Sequence, residues 1–227
     1  MSLITNVNTL EQDSKEKISK DLEIKIEDKF GMGQPRYIYP YIIETDNIKL
    51  PFAYAVQAIK LPRPKREQFP QIELAFEGTL REEQQVVRKE ALKILSSKGS
   101  VIISCFPGWG KTACAINLAT AINFKSLIIV NKLVLIKQWE DSILKFCPTA
   151  KIQKLTPKSK KQDSHFYIIN AQNVEKLPRH FLKDIGTVIV DEAHMIMAET
   201  LSKSYLAREV SLSVVFQVGV RRLVPLT

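Results

Sequence analysis

"SCFPGWGKTACA", Ser104 to Ala115, is the stretch whose reading decides the fold. A short apolar run, "SVIISC" (Ser100–Cys105), leads into it, and "KTACAINLATAI" (Lys111–Ile122) leaves it as a helix. The phosphate-binding pattern G-x-x-x-x-G-K-[ST] falls on Cys105, Phe106, Pro107, Gly108, Trp109, Gly110, Lys111 and Thr112. Gly-Lys-Thr is intact, and Cys105 stands where the pattern has its first glycine. Glycines let successive backbone N–H groups point inward at phosphates, and the helix start adds its positive dipole end. Lys111 is then placed to reach the β- and γ-phosphates, and Thr112 to offer its hydroxyl to Mg²⁺. The competing reading is an ordinary glycine-containing turn. It rarely supplies Gly-x-Gly-Lys-Thr between an apolar strand and a helix. Trp109, between two loop glycines, is expected to pack against a neighbouring segment rather than stack on a base.

The second half of a nucleotide site stands about 80 residues further on, in "TVIVDEAH" (Thr187–His194). An apolar strand ending in Asp191-Glu192 sets two carboxylates at the carboxyl edge of a sheet, where ligands bind in open α/β folds. Asp191 is expected to hold Mg²⁺, and Glu192 to orient or deprotonate an attacking water. His194 reads as structural.

Between and around these motifs, apolar strand-like runs alternate with helical ones. "LREEQQVVRKEALKILSS" (Leu80–Ser97) carries an apolar stripe at Leu80, Val87, Ala91 and Leu95. "SLIIV" (Ser126–Val130) and "HFYIIN" (His165–Asn170) read as strands, and "KLVLIKQWEDSILKF" (Lys132–Phe146) as a helix. That alternation predicts an α/β domain with a mainly parallel sheet over residues 79–227. Residues 1–78 form a small α+β accessory region in this reading. It has a frayed helix up to about Lys29 and strands in "RYIYPYII" (Arg36–Ile43) and "FAYAVQAI" (Phe52–Ile59). "LPRPKREQFP" (Leu61–Pro70) interrupts regular structure before a boundary near Gly78.

Composition narrows the function classes. No apolar run among the 227 residues approaches the roughly 20 needed to span a bilayer, and the N-terminus lacks a secretion signal, so an intracellular protein is expected. Cys105, Cys114 and Cys147 have neither metal-ligand nor disulfide spacing, and His165, His180 and His194 are scattered, so no zinc site is expected. The formal net charge of +9 favours polyanionic partners. It is concentrated in "KLPRPKR" (Lys60–Arg66) and "KIQKLTPKSKK" (Lys151–Lys161), which are either solvated loops or phosphate contacts.

With both motifs in place, the chain resembles the superfamily 2 helicases of the Asp-Glu-x-His type. "CFPGWGKT" matches their motif I and "DEAH" their motif II. "LREEQ" (Leu80–Gln84) is similar to the segment before motif I in the XPB-like DNA-repair branch, which includes large-DNA-virus counterparts. "LIIVNKLVLIKQWEDSILKF", with Gln138-Trp139, resembles motif Ia and its helix, and "YIINAQNV" (Tyr167–Val174) resembles motif Ib. The resemblance implies a first RecA-like phosphate-loop NTPase domain that binds and hydrolyses ATP with Mg²⁺. Catalysis then rests on Lys111, Asp191 and Glu192, the metal on Thr112 and Asp191, and adenine on Gln84 (or Gln85). It implies a nucleic-acid partner, DNA in preference to RNA, and a role in repair or transcription.

One departure bears on activity. The family continues from a strand into Ser/Thr-Ala-Thr, whereas here "SVVFQVGV" (Ser213–Val220) is followed by "RRLVPLT". The second RecA-like domain, with its arginine finger, has no counterpart in this sequence, and such a finger contributes roughly 10³–10⁵ in turnover in related NTPases. Arg221-Arg222-Leu223 can be written with the codons CGG-CGA-CTN, which, read one base earlier after a T, would encode Ser-Ala-Thr. A frameshift after Val220 is therefore one expectation. A second motor domain supplied in trans is another, and a nucleotide- or nucleic-acid-binding module without autonomous activity is a third.

Overall fold

The computed structural model describes residues 2–26, 36–62, 69–193, 212–218 and 222–224. They belong to two compact units, one holding the described residues up to Pro62 and the other those from Phe69 onward.

In the first unit, β1 (Ser2–Asn6), α1 (Gln12–Asp21), β2 (Ile24–Ile26), β3 (Arg36–Ile38), β4 (Ile42–Glu44), β5 (Asn47–Pro51) and α2 (Phe52–Gln57) follow in order. An antiparallel sheet runs β1-β5-β4, and β2 pairs with β3 as a separate ribbon. Leu3, Leu10, Ile18, Leu22, Ile48, Leu50 and Ala55 make its core. Two expectations are corrected here. "FAYAVQ" is helical rather than extended, because Ala55 is fully buried in the core while the Tyr54 hydroxyl donates to the Lys17 carbonyl and the Asp21 carboxylate on α1. "RYIYPYII" is two short strands that pair with different partners on either side of Pro40, not one.

The second unit is built on α3 (Glu82–Lys98), β6 (Ser100–Cys105), α4 (Lys111–Ile122), β7 (Ser126–Val130), α5 (Leu133–Phe146), β8 (Ile152–Leu155), β9 (Phe166–Asn170), β10 (Thr187–Val190), β11 (Leu212–Val218) and β12 (Arg222–Val224). The stripe predicted on α3 is the buried one, with Leu80 just before the helix and Val87, Ala91 and Leu95 on it. Gly99 ends the helix in the left-handed conformation at φ +81°. The sheet order is β12-β6-β11-β10-β7-β9-β8, and every pairing is parallel except that of β12 with β6. Strands β7, β9 and β10 are buried along their whole length, as a sheet covered on both faces requires.

Three further differences from expectation have physical causes. The second unit takes in residues 69–78, expected from the sequence to belong to the accessory region. Ile72 and Leu74 are buried in its core, the Phe76 ring stacks on Phe146 at 5.0 Å, and the Ile72 N–H donates to the Asn123 carbonyl. The basic segment Lys151–Lys161 is not all loop, since Ile152–Leu155 forms edge strand β8. "RLV" in Arg222–Val224, where the family pattern calls for Ser/Thr-Ala-Thr, lies antiparallel along β6. The expected strand before it is β11, set between β6 and β10. His194 lies outside the described residues.

Candidate active site

Strands β6 and β10 carry the two motifs, and β11 between them breaks the sequence order of the sheet. Ligands bind outside the carboxyl ends of strands at such a break. Cys105 closes β6 and is fully buried, while Phe106 and Pro107 are exposed at the turn. Gly108 and Gly110 take φ +77° and +89°, left-handed conformations that glycine adopts without steric penalty. A Cβ on Gly108 would meet nothing within 4 Å. Helix α4 then starts at Lys111 with no side-chain cap and no acidic residue in its first turn. Its leading N–H groups are left for an anion. An open glycine loop, an uncapped helix start and a lysine form a donor set that fits a polyphosphate.

Trp109 is 1% exposed and belongs to the hydrophobic core, so its ring packs inside and is not presented to a base. Its carbonyl is gripped from α3: Gln84 Nε2 donates to it at 2.9 Å, and the Arg81 guanidinium donates to it as well. Gln84 Oε1 accepts the Arg81 backbone N–H at 2.9 Å, so both ends of the amide are engaged. The Gln85 amide instead donates to the Leu80 carbonyl at 2.8 Å. The two glutamines therefore differ: Gln84 touches the loop and Gln85 does not.

At the end of β10, Asp191 is 8% exposed and Glu192 half-buried. Lys111 Nζ and Glu192 Oε1 form an ion pair at 3.0 Å, which joins the loop to the acidic motif. Glu192 holds φ +50°, a strained backbone for a residue with a side chain, of the kind that concentrates at functional sites. Burial pushes the Asp191 carboxyl above its ordinary value, with Glu192 adding in the same direction. The Trp139 indole N–H and the Lys111 charge oppose this. That indole donates to Asp191 Oδ2 at 2.9 Å from the buried face of α5. Sequence reading singled out Trp139 only as half of a Gln-Trp pair. Its separation from Asp191 by 52 residues hides the contact.

The structure thus brings Gln84, Trp109, Gly110, Lys111, Asp191, Glu192 and Trp139 into one linked cluster. The thiols do not join it chemically. Burial holds Cys114 up at about 12 and Cys147 at about 11, and all three cysteines are buried. Lys161 is also elsewhere. It pairs with Asp184 and donates to the Phe181 carbonyl at 2.6 Å, before β10 begins, at the opposite edge of the sheet from Asp191.

Comparison with known proteins gives the arrangement its family. A family model described as "Type III restriction enzyme, res subunit" matches residues 77–218. Putative helicase 161L of Invertebrate iridescent virus 6 is 39% identical over 91% of this chain and 47% of its own length. Putative helicase 109L of Invertebrate iridescent virus 3 is 37% identical over 91% of this chain and 69% of its own. The chain thus spans about half to two thirds of these relatives. Among solved structures, the UvsW helicase of bacteriophage T4 aligns over 91% of this chain with a TM-score of 0.64 at 16% identity. The Sulfolobus solfataricus SWI2/SNF2 ATPase core, solved with dsDNA, aligns over 66% of this chain with a TM-score of 0.56 at 18% identity. These two likenesses concern the fold, which is that of a RecA-like helicase domain. The chain belongs to the superfamily 2 helicases, in the type III restriction enzyme res-subunit family.

Proposed function

We propose that this chain is the first motor domain of an ATP-dependent nucleic-acid helicase or translocase, acting on DNA in preference to RNA, in repair or transcription. The observation that carries the reading is the Lys111–Glu192 ion pair, which joins the glycine loop to the acidic strand end across the sheet break. In this reading the loop from Cys105 to Thr112 holds the phosphates of ATP through backbone N–H groups at its glycines and the start of α4, together with the Lys111 ammonium. Thr112 and Asp191 would hold Mg²⁺, which would supply charge neutralisation to the phosphates. Glu192, released from Lys111 as the lysine turns to phosphate, orients and deprotonates water. Gln84 reports on the base: its amide grips the loop at the Trp109 carbonyl, so a contact from adenine reaches the phosphates through it.

A second reading, an ATP-binding module without turnover of its own, draws on the same ion pair, which keeps both groups occupied. One experiment separates the two: ATP hydrolysis and binding of a fluorescent ATP analogue, each with and without single-stranded DNA or RNA. The motor reading expects DNA-stimulated turnover. Glu192→Gln should lower that turnover by about 10²–10⁴ while leaving analogue binding intact, and Lys111→Ala should weaken both. Binding with no turnover under any condition leaves the module. Turnover indifferent to nucleic acid refutes the motor.

A further inference from the structure

The Trp139–Asp191 contact joins helix α5 to the end of strand β10. Trp139 sits on α5 with 2% of its surface exposed, and Asp191 ends β10 at 8%. Their hydrogen bond, 2.9 Å from Nε1 to Oδ2, is buried. An indole has one N–H and no acceptor, so this donor has a single direction to aim. A carboxylate ending a strand turns freely about its last bond unless something fixes it. Here Oδ2 is committed to the indole, and Oδ1 is the oxygen that the indole does not engage.

We infer that Trp139 is a positioning residue for the metal: its indole N–H fixes the rotation of the Asp191 carboxylate, so that a divalent cation meets a preformed oxygen ligand. The inference rests on the reading of Asp191 as a Mg²⁺ ligand, and extends it to a residue on another helix. Two physical points favour this over simple packing. Leu, Ile or Phe would fill an apolar slot beside Ile143 without bringing a polar atom into it, and a buried tryptophan N–H usually finds a partner, as this one does in Asp191. Trp109 shows the contrast within this chain, since among the described residues its buried Nε1 has no hydrogen-bond partner and its ring packs in the core.

The test uses the full chain and Trp139→Phe, which keeps an aromatic ring and removes the donor. Binding of a fluorescent ATP analogue is titrated in EDTA and in Mg²⁺, and the ratio of the two affinities measures the metal's contribution. Trp139→Phe should bind the analogue in EDTA as the parent does, because the loop is untouched, and should lose about tenfold or more of the Mg²⁺ enhancement. An unchanged enhancement overturns the inference. No enhancement in the parent overturns instead the reading of the site as a Mg²⁺–ATP site.

A second measurement needs no variant. The ¹⁵N-labelled chain has two indole N–H signals, one for each of its two tryptophans. Adding Mg²⁺ to the nucleotide-bound protein should move one of them beyond the shift caused by nucleotide alone. If neither moves, the indole does not sense the metal and the inference fails, whether or not Trp139→Phe folds.

Discussion

At Gly110 two separate constraints meet. Its φ of +89° is one that a side chain resists, and a Cβ there would clash with Gln84 Nε2. Gly108 has the first constraint without the second, since φ is +77° and nothing lies within 4 Å of its Cβ position. Comparing alanine at each position separates them. Both substitutions should lower stability by about 1–2 kcal/mol through left-handed strain, measured by urea unfolding. Gly110→Ala should in addition displace the Gln84 amide from the loop and weaken binding of an ATP analogue more than Gly108→Ala does. Equal losses of affinity would mean that the Gln84 grip has no part in shaping the loop. These residues were legible in the sequence because Gly-Lys-Thr and Asp-Glu are contiguous and their chemistry is local. Trp139 was not, because a side chain that completes a site from a different helix leaves no spacing signature.

Among the elements, helices and buried strands near the site were readable from their runs, and short or half-polar elements were not. Strand β8 is four residues with a lysine in its middle, "IQKL", and only Gln153 and Leu155 are buried in it. Its pairing with β9 makes it a strand, and pairing is invisible to a local reading. Lys161, beyond β8 at the end of the basic segment, belongs to a structural charge cluster at the amino edge of the sheet. Lys125 Nζ lies 2.6 Å from Asp163 and 2.9 Å from Asp184, and Lys161 pairs with Asp184 too. Burial works against the Asp184 charge, but hydrogen bonds from Lys161 and Lys125 outweigh it and hold the carboxyl below its ordinary value. A depressed carboxyl stabilises the fold above its unfolded pKa, about 3.9, and loses that contribution as pH falls through the folded value. Thermal stability of the parent should therefore drop more steeply than that of Asp184→Asn as pH falls below about 4, while above it the variant should be the less stable of the two. Parallel curves over that range would show that Asp184 contributes no linked stability.

For the whole molecule, the alternation of apolar strands and helices announced a parallel α/β sheet, but not its order. β11, which comes last but one in the chain, is inserted between β6 and β10, and only that insertion brings the loop and Asp191 to one break in the sheet. Composition likewise gave the charge but not its use. Of the lysines in Lys151–Lys161, Lys154 pairs with Glu140 at 3.1 Å and Lys161 with Asp184, so part of the expected phosphate-contacting cluster is already committed to the fold. Lys151, Lys158 and Lys160 remain exposed. If such a group contacts about three phosphates of single-stranded DNA, the affinity should fall with salt at a log–log slope of roughly −2, whatever the base sequence. Neutralising Lys158 and Lys160 together should flatten that slope by about 1.4, roughly 0.7 for each lost phosphate contact. Lys161→Gln should leave the slope as it is and show its loss in thermal stability instead. The measurement is a fluorescence-anisotropy titration of one labelled oligonucleotide at several salt concentrations. A slope that follows Lys161 and ignores Lys158 and Lys160 would put the nucleic acid at the amino edge of the sheet, away from the nucleotide loop, and would separate binding from the motor chemistry.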